Sequence, residues 1–174
     1  MRKKILILSP HADDEVLGCG GTISKYSKKG HDIYVLVLTN ANKGAPEIYS
    51  TKQISLIRKE SKLANNFIGT KKLFFENLPA LSLNQYPIYK ISNIIKKYIS
   101  NIQPEIIFIP SINDIHEDHK IIFKAAKVAT RMNKISKLKK ILSYEVLSET
   151  EWNENEEAFS PNYFVRLNKS DINN

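Results

Sequence analysis

Short, uninterrupted apolar runs alternate with helically spaced segments along this chain, and that alternation restricts the fold more than any other feature. K-I-L-I-L-S (4–9) has no polar interruption between its ends, as expected of a strand buried on both faces of a parallel sheet. Helical spacing follows, with Val16, Leu17, Ile23 and Tyr26 on one face of a helix that closes near Gly30. D-I-Y-V-L-V-L-T (32–39) predicts a second strand, with A-N-K-G-A-P (41–46) as the loop behind it. The pattern continues with a helix over 51–67, a strand over 72–75, a helix opened by Pro87 and reaching Ile102, and a strand over 105–109. A loop over 111–119 then leads into a helix ending near Met132, and residues 141–147 and 162–167 read as later strands. Repeated β-then-α units of this size imply an α/β fold, a Rossmann-like three-layer α/β/α sandwich with a mostly parallel sheet and right-handed crossovers. Such sheets bind ligands at the carboxyl ends of their strands, near the point where strand order reverses.

A length of 174 residues fits one domain (1–174) able to bury a core without disulfides or metal staples. No apolar run approaches the roughly 18 residues needed to cross a bilayer, so no transmembrane segment is expected. The start, M-R-K-K-I-L-I-L-S-P, is basic, but its apolar run is shorter than the roughly 7–15 residues of a signal-peptide core and reads better as the first strand. Cys19 is the only cysteine, which rules out an intramolecular disulfide and a thiolate metal cluster and fits a cytoplasmic setting. The net charge of +8 comes mainly from scattered lysines. Nucleic-acid binding is not expected from such a pattern, because base readout favours clustered arginine and single-strand binding wants interleaved aromatics. An anionic substrate or lipid surface fits it better.

Two segments stand out against this frame. Residues 10–15, P-H-A-D-D-E, offer His11, Asp13, Asp14 and Glu15; residues 111–119, S-I-N-D-I-H-E-D-H, offer Asp114, His116, Glu117, Asp118 and His119. Each begins within a few residues of a strand's carboxyl end, so the fold brings them together. Imidazole and carboxylate suit a catalytic zinc, which usually takes three protein ligands and keeps a fourth position for water. Taken singly, either segment also fits a plainer role, with acidic residues at a helix start and histidines on its surface. His31, outside both, reads as a surface or capping residue. G-C-G-G (18–21) lacks dinucleotide-fingerprint spacing and suits close packing of a helix on a sheet.

P-H-A-D-D-E (10–15) paired with H-E-D-H (116–119) resembles the LmbE-like, or PIG-L-like, family of zinc-dependent N-deacetylases, which act on N-acetylglucosaminyl conjugates and related amino sugars. V-L-G-C-G-G-T-I (16–23), R-K-E-S-K-L-A (58–64) and S-P-N-Y-F-V (160–165) are similar to further family features, so the resemblance covers most of the chain. By matching motif positions it implies zinc ligands at His11, Asp14 and His119, a general base at Asp13, and a general acid or oxyanion stabiliser at His116. Asp118 then hydrogen-bonds a ring N–H from behind the ligands or serves as a helix-start carboxylate. Arg58 resembles the family's substrate-contacting arginine, with a surface ion pair to Glu60 as the competing role. Topology alone puts Asn42 and Lys43 on the active edge, near sugar hydroxyls. The implied cofactor is Zn2+, although the same donors accept Fe2+ or another divalent ion.

Two departures accompany the resemblance. Ala12 stands where the family more often has proline, which removes no ligand. The chain ends at S-D-I-N-N (170–174), where members commonly continue into a terminal helix, so the domain is read as short or truncated there. The resulting expectation is a hydrolase that removes the N-acetyl group from an N-acetylglucosamine-type sugar or conjugate. Its alternatives are a hydrolase of another small amide or ester at the same metal, and a non-catalytic carbohydrate-binding relative. The partner expected is a small amino sugar or glycoconjugate, and assembly as a homo-oligomer is compatible with the sequence.

Overall fold

The first apolar run forms the centre of the sheet. In the computed structural model, which describes residues 1–131, 137–152 and 158–172, strand β1 (Lys4–Ser9) pairs in parallel with β2 (Asp32–Asn40) on one side. On the other side it pairs in parallel with β4 (Ile106–Pro110). Strand β3 (Lys72–Pro79) extends the sheet beyond β2, and β5 (Lys140–Tyr144) extends it beyond β4, giving the order β3-β2-β1-β4-β5. Chain order therefore reverses direction at β1 and β4, the place where open α/β sheets receive ligands.

Period-two alternation divides the buried residues of these strands between two cores. Leu6, Leu8, Leu36, Leu38, Ile107 and Ile109 face the layer of α4 (Ile88–Ile102) and α5 (Glu117–Thr130), where Ile91, Ile95, Ile99, Ile122, Ala125 and Ala126 complete the packing. Ile5, Ile7, Val35, Val37 and Phe108 face the opposite layer and meet Cys19 and Ile23 of α1 (Asp14–Lys28). With both faces covered, the central strands have no solvated side, which is why their sequences are continuous rather than alternating. Helix α3 (Thr51–Phe67) lies beside α1 and starts with a capping box, in which Ser50 and Gln53 satisfy each other's backbone N–H groups.

Gly18 is required by close packing. A Cβ there would lie 2.4 Å from the Tyr144 ring and 2.6 Å from the Glu145 carbonyl, so α1 can rest on the end of β5 only without a side chain. Gly44 meets a similar limit at the Ala80 carbonyl, 1.6 Å from its hypothetical Cβ.

Several expected elements differ. Residues 162–167 pair with no strand of the described sheet; the segment instead runs along α1, with Leu167 against Gly21 and the Lys25 ammonium donating to the Arg166 carbonyl. Its alternation is real, but it half-buries Val165 and Leu167 on the outside of the helical layer before α6 (Lys169–Ile172). Residues 41–46 contain a turn of helix, α2 (Ala41–Gly44), started by Asn40 accepting from the Asn42 amide at 3.0 Å. Strand β3 continues to Pro79 after a register shift opposite Val37 and Thr39. The helix expected to end near Met132 is assigned to Thr130, and Met132 lies outside the described residues.

Candidate active site

Chain reversal after β1 and after β4 lifts two loops over the same edge of the sheet. The first carries His11 and runs directly into α1; the second carries Asp114 and runs into α5, with His116 at the position before its first residue. Asp13 occupies the equivalent position at α1, yet its side chain makes no capping hydrogen bond and lines a cleft of about 570 Å³.

Three ligating atoms converge beside it. Asp14 Oδ2 lies 3.3 Å from His11 Nδ1 and 3.2 Å from His119 Nε2, and the two ring nitrogens are 3.3 Å apart. A tetrahedral ion with bonds of 2.0–2.1 Å has ligand-to-ligand edges of about 3.4 Å, so this triangle is the right size for one face of such a site. The remaining nitrogens are held from behind. His11 Nε2 lies 3.2 Å from Asp118 Oδ2, which also accepts the Leu81 amide at 2.7 Å. His119 Nδ1 lies 2.8 Å from Asp114 Oδ2, itself 3.0 Å from the Thr150 hydroxyl. Carboxylates in these positions fix the tautomer and aim the opposite nitrogen at the centre.

The acids around the two imidazoles set the electrostatics of the cluster. Burial works against protonating His11, but the carboxylates of Asp118 and Asp14 prevail and lift it to about 10. At His119 burial is likewise overcome, by Asp114 and Asp14, and the imidazole rises to about 9. Asp14 is buried, which alone would raise it, yet both imidazoles hold it well below the usual carboxylate range. Asp13 moves the other way, because partial desolvation and the charge of Asp14 outweigh the attraction of His11. His116 is lowered by burial and by the neighbouring imidazoles. Its Nδ1 accepts the Asp118 amide at 3.1 Å, which assigns the exchangeable proton of the neutral ring to Nε2.

A second possible grouping contains His11, His116 and His119, whose ligating nitrogens lie within 4.8 Å of one another. The set with Asp14 is tighter, and His116 already uses Nδ1 at the start of α5. Either way, the described residues contain a histidine-rich group that could hold a metal ion.

The chain matches the family described as PIG-L, GlcNAc-PI de-N-acetylase, over residues 6–130. It belongs to the PIG-L family. The uncharacterized deacetylase YaiS of Escherichia coli K12 is 30% identical over 152 residues, covering 84% of this chain and 76% of YaiS. Diacetylchitobiose deacetylase of Thermococcus kodakarensis is 37% identical over 73 residues, 41% of this chain and 27% of that protein. Among solved structures, N,N'-diacetylchitobiose deacetylase from Pyrococcus horikoshii superposes with a TM-score of 0.66 at 25% identity, covering 79% of this chain and 52% of that one. The match thus spans three quarters of YaiS but about half or less of the two diacetylchitobiose deacetylases.

Other residues of this PIG-L chain fall at varying distances from the convergent atoms. Arg58 lines the cleft, where it donates to the Glu76 carbonyl at 2.6 Å and the Asn77 side chain at 2.9 Å and lies over the Phe75 ring. Those contacts, rather than a pair with Glu60, set its position, and burial lowers its pKa. Asn42 and Lys43 do not line this cleft; they border an adjoining recess, and the Asn42 amide donates to the Tyr49 carbonyl at 2.6 Å. His31 accepts the Lys3 amide, 3.3 Å away, near the opposite ends of the strands.

Sequence reasoning gave no specific role to Asp114 and Glu15. Asp114 is fully buried behind His119, and its spacing of five residues from that histidine is the only available sign. Glu15 is also fully buried, with its oxygens 2.6 Å from Asn65 Nδ2, 2.8 Å from Ser9 Oγ and 3.4 Å from Ser61 Oγ. Ser61 and Asn65, four positions apart on α3, are the corresponding mark in the sequence.

Proposed function

We propose that this chain is a zinc-dependent N-deacetylase that removes the acetyl group from an N-acetylglucosamine-type sugar or sugar conjugate, releasing acetate and a free amine. The observation that carries this reading is the triangle of His11 Nδ1, Asp14 Oδ2 and His119 Nε2, with Asp13 lining the same cleft. Family membership and the deacetylases named above support the choice of an acetamide.

His11, Asp14 and His119 hold the metal, while Asp118 and Asp114 keep the two imidazoles aimed. A bound zinc ion supplies Lewis-acid polarisation of the amide carbonyl and a water acidic enough to attack at neutral pH. Asp13, whose side chain lines the same cleft, would receive a proton from the attacking water. His116 would donate a hydrogen bond from its Nε2–H to the carbonyl oxygen as negative charge grows there. The proton taken by Asp13 would pass to the departing nitrogen, since an amine leaves only when protonated, so water and amide become acetic acid and amine without another reactant. Arg58 on the cleft wall is the residue for sugar contact, and Asn42 and Lys43 serve a more distant part of the substrate. Iron(II) would satisfy the same donors. The single buried thiol, Cys19, agrees with work in the cytoplasm.

Metal content and acetate release from N-acetylglucosamine conjugates test the reading together. About one metal per chain, with turnover that Asp13→Ala abolishes while retaining the metal, is the expected result. A folded chain that takes up no divalent metal would overturn it.

A further inference from the structure

Next to the catalytic cleft, between α2 and the first three turns of α3, lies a recess of about 500 Å³. We infer that it is a phosphate-binding subsite for the group carried by the amino sugar, an inference that rests on the deacetylase reading for what occupies the neighbouring cleft. Lys43, Arg58, Lys59 and Lys62 line it, and no aspartate or glutamate does among the described residues. Arg58 and Lys62, one helical turn apart, both lie over the same Phe75 ring, at 4.9 and 5.9 Å from its centre. The ring face attracts both cations, and an anion in the recess would pair with both.

The recess is continuous with the chemistry. Asn40, Ile54 and Arg58 border both cavities, so a sugar at the imidazole cluster can extend its substituent past Arg58 without leaving the protein. Four cations in one concavity suit a multiply charged oxyanion better than a single carboxylate. Arginine supplies a planar set of donors, and the lysines supply mobile point charges. This gives a local purpose to part of a positive balance that is otherwise spread over the surface.

Binding of glucose 1-phosphate to the metal-loaded protein tests the subsite without turnover, because this sugar phosphate has no acetamide. It is expected to bind about tenfold more tightly than glucose, with Lys59→Ala/Lys62→Ala removing most of that preference. Lys124→Ala/Lys127→Ala on α5, which removes the same charge elsewhere, should keep it. Equal binding of the two sugars, or a preference that survives Lys59→Ala/Lys62→Ala, would overturn the subsite. In turnover, Lys59→Ala/Lys62→Ala should raise KM for N-acetylglucosamine 1-phosphate about tenfold and leave kcat/KM for free N-acetylglucosamine unchanged. If neither sugar is deacetylated while the binding preference holds, the deacetylase reading fails and the subsite stands.

Discussion

Asp14 and Glu15 are neighbours in the first turn of α1, both buried, with 3% and 0% of their surface exposed, and their surroundings treat them in opposite ways. Asp14 turns towards two imidazoles and one backbone amide, and its carboxyl is held far below the usual range. Glu15 turns towards Ser9, Ser61 and Asn65, meets no cation among the described residues, and burial raises it. One step of about 100° around a helix separates a carboxylate that remains charged from one that ties α1 to α3 and to the end of β1. Side-chain direction, not residue type, therefore sets their functions. The first belongs to the imidazole cluster and the second to its foundation.

Substitutions can sharpen this contrast, beginning where the largest effect is expected. His119→Ala should abolish metal uptake and lower acetate release by at least about 10⁴-fold, because it removes a ligand and leaves buried Asp114 without its imidazole. Metal analysis and an acetate assay check both effects. Asp13→Ala should lower kcat by about 10²–10⁴-fold while metal content stays unchanged. Asp114→Asn should keep the fold and weaken metal affinity by about 10–100-fold, measured by competition with a chelator of known strength. At Glu15 the contrast predicts a small functional effect. Glu15→Gln should hold turnover within about threefold of the parent chain and cost about 1 kcal/mol in denaturant unfolding. Loss of metal from Glu15→Gln would show that the two carboxylates are not separable.

The imidazoles add a prediction with a definite sign. His11 and His119 are raised to about 10 and about 9, so in metal-free protein they stabilise the fold fully below their unfolded value of roughly 6.5. That stabilisation is lost as pH rises through 9 and 10. Thermal melts of chelator-treated protein should therefore fall over this interval. Metal uptake should also release protons near neutrality, measurable in weakly buffered solution.

Much of the architecture was legible because burial on both faces leaves a plain mark, the unbroken apolar run of β1 and the β-branched run of β2. The clustering of His11, Asp14 and His119 was legible for a related reason, since loops at the carboxyl ends of neighbouring strands must meet. What escaped notice depended on direction. Residues 162–167 alternate like a strand, but period two records only that one side is covered, and here the cover is α1 rather than a neighbouring strand. Asp114 and Glu15 read as two more acids in acidic segments, because nothing local shows which carboxylate points inward. For Arg58 the sequence offers Glu60, two residues along its own helix, as a competing partner, whereas its contacts come from β3, which extends past the expected end at Phe75.

The triangle also joins residues 108 positions apart in the chain, His11 after the first strand and His119 after the fourth. During synthesis the early half must wait for the late one, since His119 is among the last third of the chain to emerge. A ribosome-bound nascent chain ending before that residue has two of the three proposed ligands and lacks the one that closes the triangle. On the proposed reading, a metal-loaded molecule would therefore be one in which β4 has already seated against β1, so that the two halves of the polypeptide have found each other.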